Sequence, residues 1–216
     1  MDQIPNVSFD IDSLLAEARR KSGLTDFGDE AFLEPLQVLT ESLEKEAQLN
    51  AVGRFIQHDR LVNILVSRLR IQEYFNRYPE IADEEIKNTI AIVGFARTGT
   101  TMLQRCLAAD RRFYAPLWYE VRYPAPLPGW DFDGTPDTRI AAAKAEVAAI
   151  LEAQPELAAI HPWDATAADE EIMLLEHAFY STMPEVWCHV PTFQRWQETH
   201  DNTPGYVYLK QVLQFL

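Results

Sequence analysis

Gly94 and Gly99 are separated by four residues, and Arg97 stands two positions before the second glycine. Thr98, Thr100 and Thr101 add three hydroxyls to the same turn. A short run rich in β-branched residues, Ile90-Ala91-Ile92-Val93, precedes it. Met102, Leu103, Cys106 and Leu107 follow at helical spacing. Apolar strand, glycine-bounded turn, helix is the layout of a P-loop. Backbone N–H groups in such a turn point inward, and the start of the helix adds partial positive charge, so the turn suits a phosphate or a sulfate. In a nucleoside-triphosphatase loop a Lys follows the second glycine and reaches the β- and γ-phosphates, and the hydroxyl after it holds Mg²⁺. Here that position is Thr100, and the cation within the turn is Arg97. Such a turn can hold an anion, but it lacks the standard equipment for cleaving a β–γ phosphate bond.

The stretch Ala96-Arg97-Thr98-Gly99-Thr100-Thr101 resembles the 5′-phosphosulfate loop of the sulfotransferases, Pro-Arg/Lys-Ser/Thr-Gly-Thr-Thr after a strand, with Ala96 in place of the common Pro. The resemblance extends to Trp118-Tyr119-Glu120, to His161-Pro162 ahead of Glu170-Glu171, and to Tyr206–Leu213, which is similar to that family's Tyr-x-Tyr-x-Lys-x-x-Leu-Gln helix. It implies 3′-phosphoadenosine 5′-phosphosulfate (PAPS) as co-substrate and no obligatory metal. By the same resemblance, the backbone N–H groups and hydroxyls of Thr98, Gly99, Thr100 and Thr101 would hold the donor's 5′-phosphate. Arg97 would offset the charge that develops as the sulfuryl group departs.

Sulfuryl transfer also needs a base for the acceptor hydroxyl, and base catalysis contributes roughly 10²–10⁴-fold. Two residues are candidates. Glu120 lies about twenty residues after the loop, near where a second strand would end, and strand C-termini gather at the site of a parallel sheet; some bacterial sulfotransferases use a Glu in this place. The alternative role of Glu120 is a local cap or ion pair. His161 has an imidazole suited to proton transfer, and cytosolic members of the family use a His; its alternative is a hydrogen bond to backbone in a Pro-containing loop. Glu170 and Glu171 read as acids at a helix start.

The scaffold follows from pattern. Residues 1–87 read as a helical region. Asp10 caps a first helix with Ile11, Leu14, Leu15 and Ala18 on one face, and Gly23 ends it. Pro35 opens a second helix bearing Leu36, Leu39 and Leu43. A third runs from Ala51 to Tyr78 with Phe55, Val62, Leu65 and Leu69 as its stripe, and Pro79 stops it. Residues 88–216 read as the N-terminal part of an α/β sulfotransferase domain, a P-loop-type parallel sheet flanked by helices, with the sheet expected to be incomplete. From Pro116 to Pro136 prolines, glycines and aromatics alternate, as in a loop that either lines a pocket or packs its rings on a core. Helices are expected over 137–153 and 192–200. The last stripe, Leu209, Val212, Leu213 and Leu216, stops without a cap, which leads us to expect a longer parent chain. In the resembled family, the grip on the donor's 3′-phosphate comes from a later segment.

Composition bounds the partners. The 216 residues carry a formal charge of −14, which repels nucleic acid and anionic membrane. An acidic shell also disfavours an anionic donor, so the site must be locally positive; Arg97, Arg105, Arg111 and Arg112 cluster near it in sequence. Cys106 and Cys188 form neither a disulfide framework nor a metal pattern, and Cys106 falls on the apolar face of the loop helix, a core position. Met1-Asp2-Gln3-Ile4-Pro5 has no basic or apolar leader pattern, and no apolar run approaches the ~20 residues that span a bilayer. The expectation is a cytoplasmic sulfotransferase without metal, acting on a small-molecule or lipid-like hydroxyl acceptor. Its rivals are a P-loop kinase or nucleotide hydrolase, and a non-catalytic helical interaction module with a degenerate anion loop.

Overall fold

A computed structural model describes residues 5–95, 97–132 and 134–216; Met1–Ile4, Ala96 and Asp133 lie outside the described residues. The helices in chain order are α1 (Ile11–Ser22), α2 (Leu33–Lys45), α3 (Ala51–Arg77), α4 (Thr100–Ala108), α5 (Trp118–Arg122), α6 (Thr138–Ala153), α7 (Leu157–Ile160), α8 (Ile172–Glu176), α9 (Met183–Trp187), α10 (Pro191–Thr199) and α11 (Thr203–Phe215). Among the described residues none of these helices is long and apolar enough to cross a membrane. The chain forms two compact units. One joins the described residues up to Glu84 with Ile172–Phe215; the other is Glu85–Glu171 with Leu216.

Local chemistry sets the helix ends of the first unit. The Asp10 carboxylate accepts from the Ser13 N–H at 2.9 Å, and Gly23 closes α1 at φ 73°. Asn50 caps α3 through the Gly53 N–H at 2.8 Å, and Pro79 follows its last turn. The core gathers Leu14, Leu15 and Ala18 from α1, Leu36, Leu39 and Leu43 from α2, Leu61, Val62, Leu65 and Leu69 from α3, and Phe179 and Phe193. Phe55, expected on the α3 stripe, is 40% exposed, and its neighbours Val52 and Ile56 on the same amino-terminal turns are exposed too. The apolar stripe of α3 is covered only from Leu61 onward.

Through this core runs one cation. Arg68 on α3 is buried, and its guanidinium donates to the carbonyls of Phe27 (2.9 Å), Asp29 (2.7 Å) and His177 (3.2 Å). It also lies over the rings of Phe32 and Tyr208, 4.3 and 4.4 Å from their centroids. Burial draws its pKa below the ordinary arginine range, since the charge is stripped of water. One side chain therefore ties together the 26–30 turn, α3, the turn after α8, and α11.

The second unit departs from the expected sheet. Thr89–Val93 adopts no helix and pairs with no strand among the described residues; the bridge present joins Leu117 to Ala168, antiparallel. A strand is completed only by hydrogen bonds to a neighbour, and the described residues offer this run none. Its apolar side chains stay open: Val93 is 93% and Phe95 87% exposed. Cys106, expected in the core, is exposed, along with Met102 and Leu103 of the same helix, because no element among the described residues covers that face of α4.

Two stability measurements follow. Replacing Arg68 by Lys keeps the charge but loses the planar five-donor fork that reaches three separate carbonyls; we expect a loss of about 2 kcal/mol or more in urea unfolding at 25 °C, with Arg68→Leu costing about 3–5 kcal/mol. A Cβ at Gly205 would lie 2.5 Å from the Tyr180 Cβ and 2.6 Å from its Cγ. Gly205→Ala should therefore destabilise by about 1–3 kcal/mol despite the better helix propensity of Ala, read in the same experiment.

Candidate functional site

The turn before α4 has the backbone of an anion cradle. Arg97 and Gly99 both sit in the left-handed region, at φ 67° and 92°. The Thr98 hydroxyl folds back onto the Phe95 carbonyl at 2.6 Å. A Cβ on Gly94 would lie 3.0 Å from Thr100 Cγ2 and 3.1 Å from Thr98 Oγ1, so the turn passes close over this glycine. Gly99 is the N-cap of α4, and no side chain caps that end. The first-turn N–H groups of Thr100, Thr101 and Met102 have no carbonyl behind them within the helix, and the helix end adds its partial positive charge. Alternating left-handed residues ahead of an uncapped helix start form a concavity of amide donors. These residues fit a phosphate or sulfate group.

Side chains from this turn and helix grip one irregular segment, residues 160–169. Arg97 donates to the carbonyl of Ile160. Arg105 donates to the carbonyls of Pro162 (2.7 Å) and Ala168 (3.3 Å), and Gln104 to that of Asp169 (2.7 Å). On its other side the segment pairs with the start of α5. The N–H groups of Trp118 and Tyr119 donate to the carbonyls of Ala167 and Ala165 at 2.9 and 3.0 Å, and the Asp169 N–H donates to Pro116 at 3.0 Å. Within the segment, the imidazole of His161 meets the carboxylate of Asp169, Nε2 to Oδ2 at 3.1 Å. The Trp163 ring stands edge-on to His161, 5.3 Å between centroids.

Glu120 is held where it starts. Its Oε2 accepts the Leu117 N–H at 2.8 Å and the Tyr114 hydroxyl at 3.0 Å, and its Oε1 accepts the Tyr119 hydroxyl at 3.2 Å. The first of these is the N3-to-N-cap half of a capping box on α5. Burial and the adjacent carboxylate push the Tyr119 phenol up to about 12, and Tyr114 moves in the same direction for the same two reasons. Both phenols therefore remain donors to Glu120 at neutral pH.

The aromatic loop after α5 packs around a second buried arginine. Arg139 binds Asp137 through both carboxylate oxygens, donates to the carbonyls of Tyr123 and Pro124 at 3.2 and 2.7 Å, and faces the rings of Tyr119, Trp130 and Phe132. Trp118 and Trp130 are buried, and Phe132 is exposed. Asp137 also caps α6. Most rings of this loop thus pack inward on the cation.

Of the residues singled out from sequence, Arg97 and Thr98–Thr101 lie in the turn before α4 and its first turn, Arg97 is tied to the residue before His161, and Glu120 lies on the segment paired with 160–169. Asp169, Gln104, Arg105 and Arg139 were not singled out as organisers. Asp169 stands just before the two acids read at a helix start, and a contact eight residues apart through an irregular loop has no periodic signature. Arg112 pairs with Asp110 at 2.6 Å and Arg105 is bound to carbonyls, so of the expected positive cluster Arg97 is the member built into the turn.

A sequence profile described as the sulfotransferase family matches residues 89–215. The chain belongs to the sulfotransferase family. Among solved structures it is similar to the sulfotransferase STF1 of Mycobacterium tuberculosis H37Rv, with 32% identity and a TM-score of 0.81 over 95% of this chain and 56% of that one. The sulfotransferase STF9 of Mycobacterium avium superposes with a TM-score of 0.83 over 100% of this chain and 55% of that one; at 23% identity the likeness is one of fold. The chain thus spans a little over half the length of these structures. No curated protein sequence matches it. As a sulfotransferase-family chain it shares their fold while the described residues are almost wholly helical and irregular.

The capping role of Glu120 is directly measurable. Glu120→Ala should lower stability by about 1 kcal/mol, a shift of roughly 2–4 °C in thermal unfolding for a chain of this size. Glu120→Gln keeps an acceptor for the Leu117 N–H and should lose about half as much.

Proposed function

We propose that this sequence supplies the donor loop and acceptor-activating segment of an enzyme that moves a sulfuryl group from PAPS to a hydroxyl of a small-molecule or lipid-like acceptor. The observation that carries the reading is the uncapped, glycine-bounded turn before α4, with Arg97 in the left-handed region and bound to the carbonyl next to His161. In this reading the N–H groups of Thr98, Gly99, Thr100 and Thr101, with the hydroxyls of Thr100 and Thr101, hold the donor's 5′-phosphate, while the Thr98 hydroxyl stays on the Phe95 carbonyl. Arg97 steadies the charge that builds on the leaving phosphate. Its guanidinium has five donors, so one bond to Ile160 leaves others for the anion. Glu120 and His161 are the two groups for the acceptor's proton. Thr100, standing where a triphosphatase has its Lys, weighs against phosphate cleavage. No metal is invoked, and the acidic surface makes nucleic acid a poor partner. A cytoplasmic location is part of the same proposal.

The exposed side chains of Val93, Phe95, Met102 and Leu103 favour one alternative, an interaction module whose anion loop does no chemistry. Calorimetric titration of the chain with 3′-phosphoadenosine 5′-phosphate, the desulfated donor, separates the two. The sulfotransferase reading expects saturable binding that Arg97→Ala weakens by about tenfold or more, as loss of a charge-assisted contact would. Absence of binding by a folded chain, repeated on any longer form of the protein, would reject it.

A further inference from the structure

Asp169 is a buried carboxylate fixed from every side. Its backbone N–H donates to Pro116 at 3.0 Å, and its carbonyl accepts Gln104 Nε2 at 2.7 Å. Its Oδ1 accepts the N–H of Glu170 at 2.8 Å. That leaves Oδ2, which faces His161 Nε2 at 3.1 Å. The side chain of Asp169 is 5% exposed and that of His161 25%. A carboxylate is acceptor-only, so a neutral His161 must present Nε2–H to it and keep its lone pair on Nδ1. Nδ1 has no hydrogen-bond partner among the described residues. The ring cannot swing freely either. Arg97 and Arg105 hold the carbonyls of Ile160 and Pro162, the residues on either side of His161, and Trp163 stands against its face. Gln104 Oε1, on the side chain that binds Asp169, is a buried acceptor without a partner among the described residues.

We propose that Asp169 is a positioning residue for His161, holding the imidazole by Nε2–H so that Nδ1 takes the proton of the acceptor hydroxyl. The proposal rests on the sulfotransferase reading and chooses between its two bases. As the acceptor oxygen forms its bond to sulfur, its proton passes to Nδ1. The bond from sulfur to the bridging oxygen breaks, and that electron pair leaves on the 5′-phosphate. The imidazolium so formed sits against the Asp169 carboxylate, which offsets its charge, and the proton later passes to solvent. Glu120, with three donors already on its carboxylate, serves α5 instead.

The isosteric change Asp169→Asn makes a sharp test. To keep accepting the Glu170 N–H, the amide oxygen must take the place of Oδ1. The amide NH₂ is then set against Nε2. Nε2 must become the acceptor, the ring proton moves to Nδ1, and the base is lost with no change of shape. In ¹⁵N-histidine NMR of the whole chain, wild-type His161 should show the Nε2–H tautomer, and Asp169→Asn should show Nδ1–H. Transfer from PAPS to 2-naphthol, a phenolic probe, should lose about 10²-fold or more in kcat with the donor KM within about twofold. The variant His161→Gln should lose a similar factor, and adding Asp169→Asn to it should lose nothing further, because Asp169 acts through the imidazole. A wild-type Nδ1–H tautomer overturns the proposal and needs no variant. So does a folded Asp169→Asn chain with wild-type kcat, or losses that multiply in the double variant. Failure of the parent reading is told apart by binding of 3′-phosphoadenosine 5′-phosphate: a chain that does not bind it loses both claims. Where it binds but does not turn over, the wild-type tautomer decides.

Discussion

Backbone that leaves water without joining a helix or sheet must find donors for its carbonyls, and in this chain arginine side chains supply them. Arg68 serves Phe27, Asp29 and His177; Arg139 serves Tyr123 and Pro124; Arg105 serves Pro162 and Ala168; Arg97 serves Ile160. Each of these carbonyls lies outside the longer helices, and where one is buried, as Arg68's partners are, leaving it unpaired costs about 1–3 kcal/mol. The guanidinium suits the task because its five donors are fixed in one plane and its faces stack on aromatic rings, as those of Arg68 and Arg139 do. An irregular stretch such as residues 161–169 can then be ordered with little regular secondary structure. In a chain of net charge −14, the Arg112 charge is met by Asp110, while Arg97 and Arg105 are held by neutral carbonyls and keep theirs.

The ends and faces of the longer helices were legible because their determinants are local. Asp10 and Gly23 bound α1, Asn50 and Pro79 bound α3, and Asp137 opens α6 through hydrogen bonds or backbone angles that depend on a few neighbouring residues. What was not legible depends on something distant. Phe55 and Cys106 match the apolar periodicity of their helices as well as Val62 or Leu65 do, yet they are exposed because no element covers those faces among the described residues. Periodicity says which side of a helix is apolar, and only tertiary placement says how much of that side is buried. The aromatic loop is similar. Its composition allowed either a pocket lining or an inward pack, and the deciding residue, Arg139, lies beyond the loop on α6.

The run Ile90–Val93 makes the same point at the level of a strand. Its β-branched composition and position before the glycine turn mark it as strand-forming, and the sulfotransferase-family match begins at residue 89. Strand geometry is nevertheless a property of a pair, since its hydrogen bonds close only on a neighbour. Over the described residues the antiparallel bridge forms elsewhere, between Leu117 and Ala168, and it sets the segment bearing His161 beside the start of α5. The turn keeps its left-handed residues and its uncapped helix without a sheet behind it. Its shape therefore comes from glycine and from the Thr98–Phe95 contact rather than from strand pairing.

Arg97 links these themes to chemistry. At φ 67° it occupies a conformation that a non-glycine residue adopts at a cost of roughly 1–2 kcal/mol, and the cost is offset where the residue gains a contact elsewhere. The contact here is the carbonyl of Ile160, one residue from the His161–Asp169 pair. An anion settling on the amides of the turn would draw on the remaining donors of the same guanidinium. On the proposed reading, the anion and the imidazole would be registered against each other through that one side chain. Two groups that must be aligned within a fraction of an ångström for an in-line displacement gain most from such a short rigid link, because misplacement by even ~1 Å forfeits on the order of 10²-fold in rate. On the proposed reading, the left-handed strain at Arg97 is where the loop would give up local comfort to register its amides against the segment that bears His161.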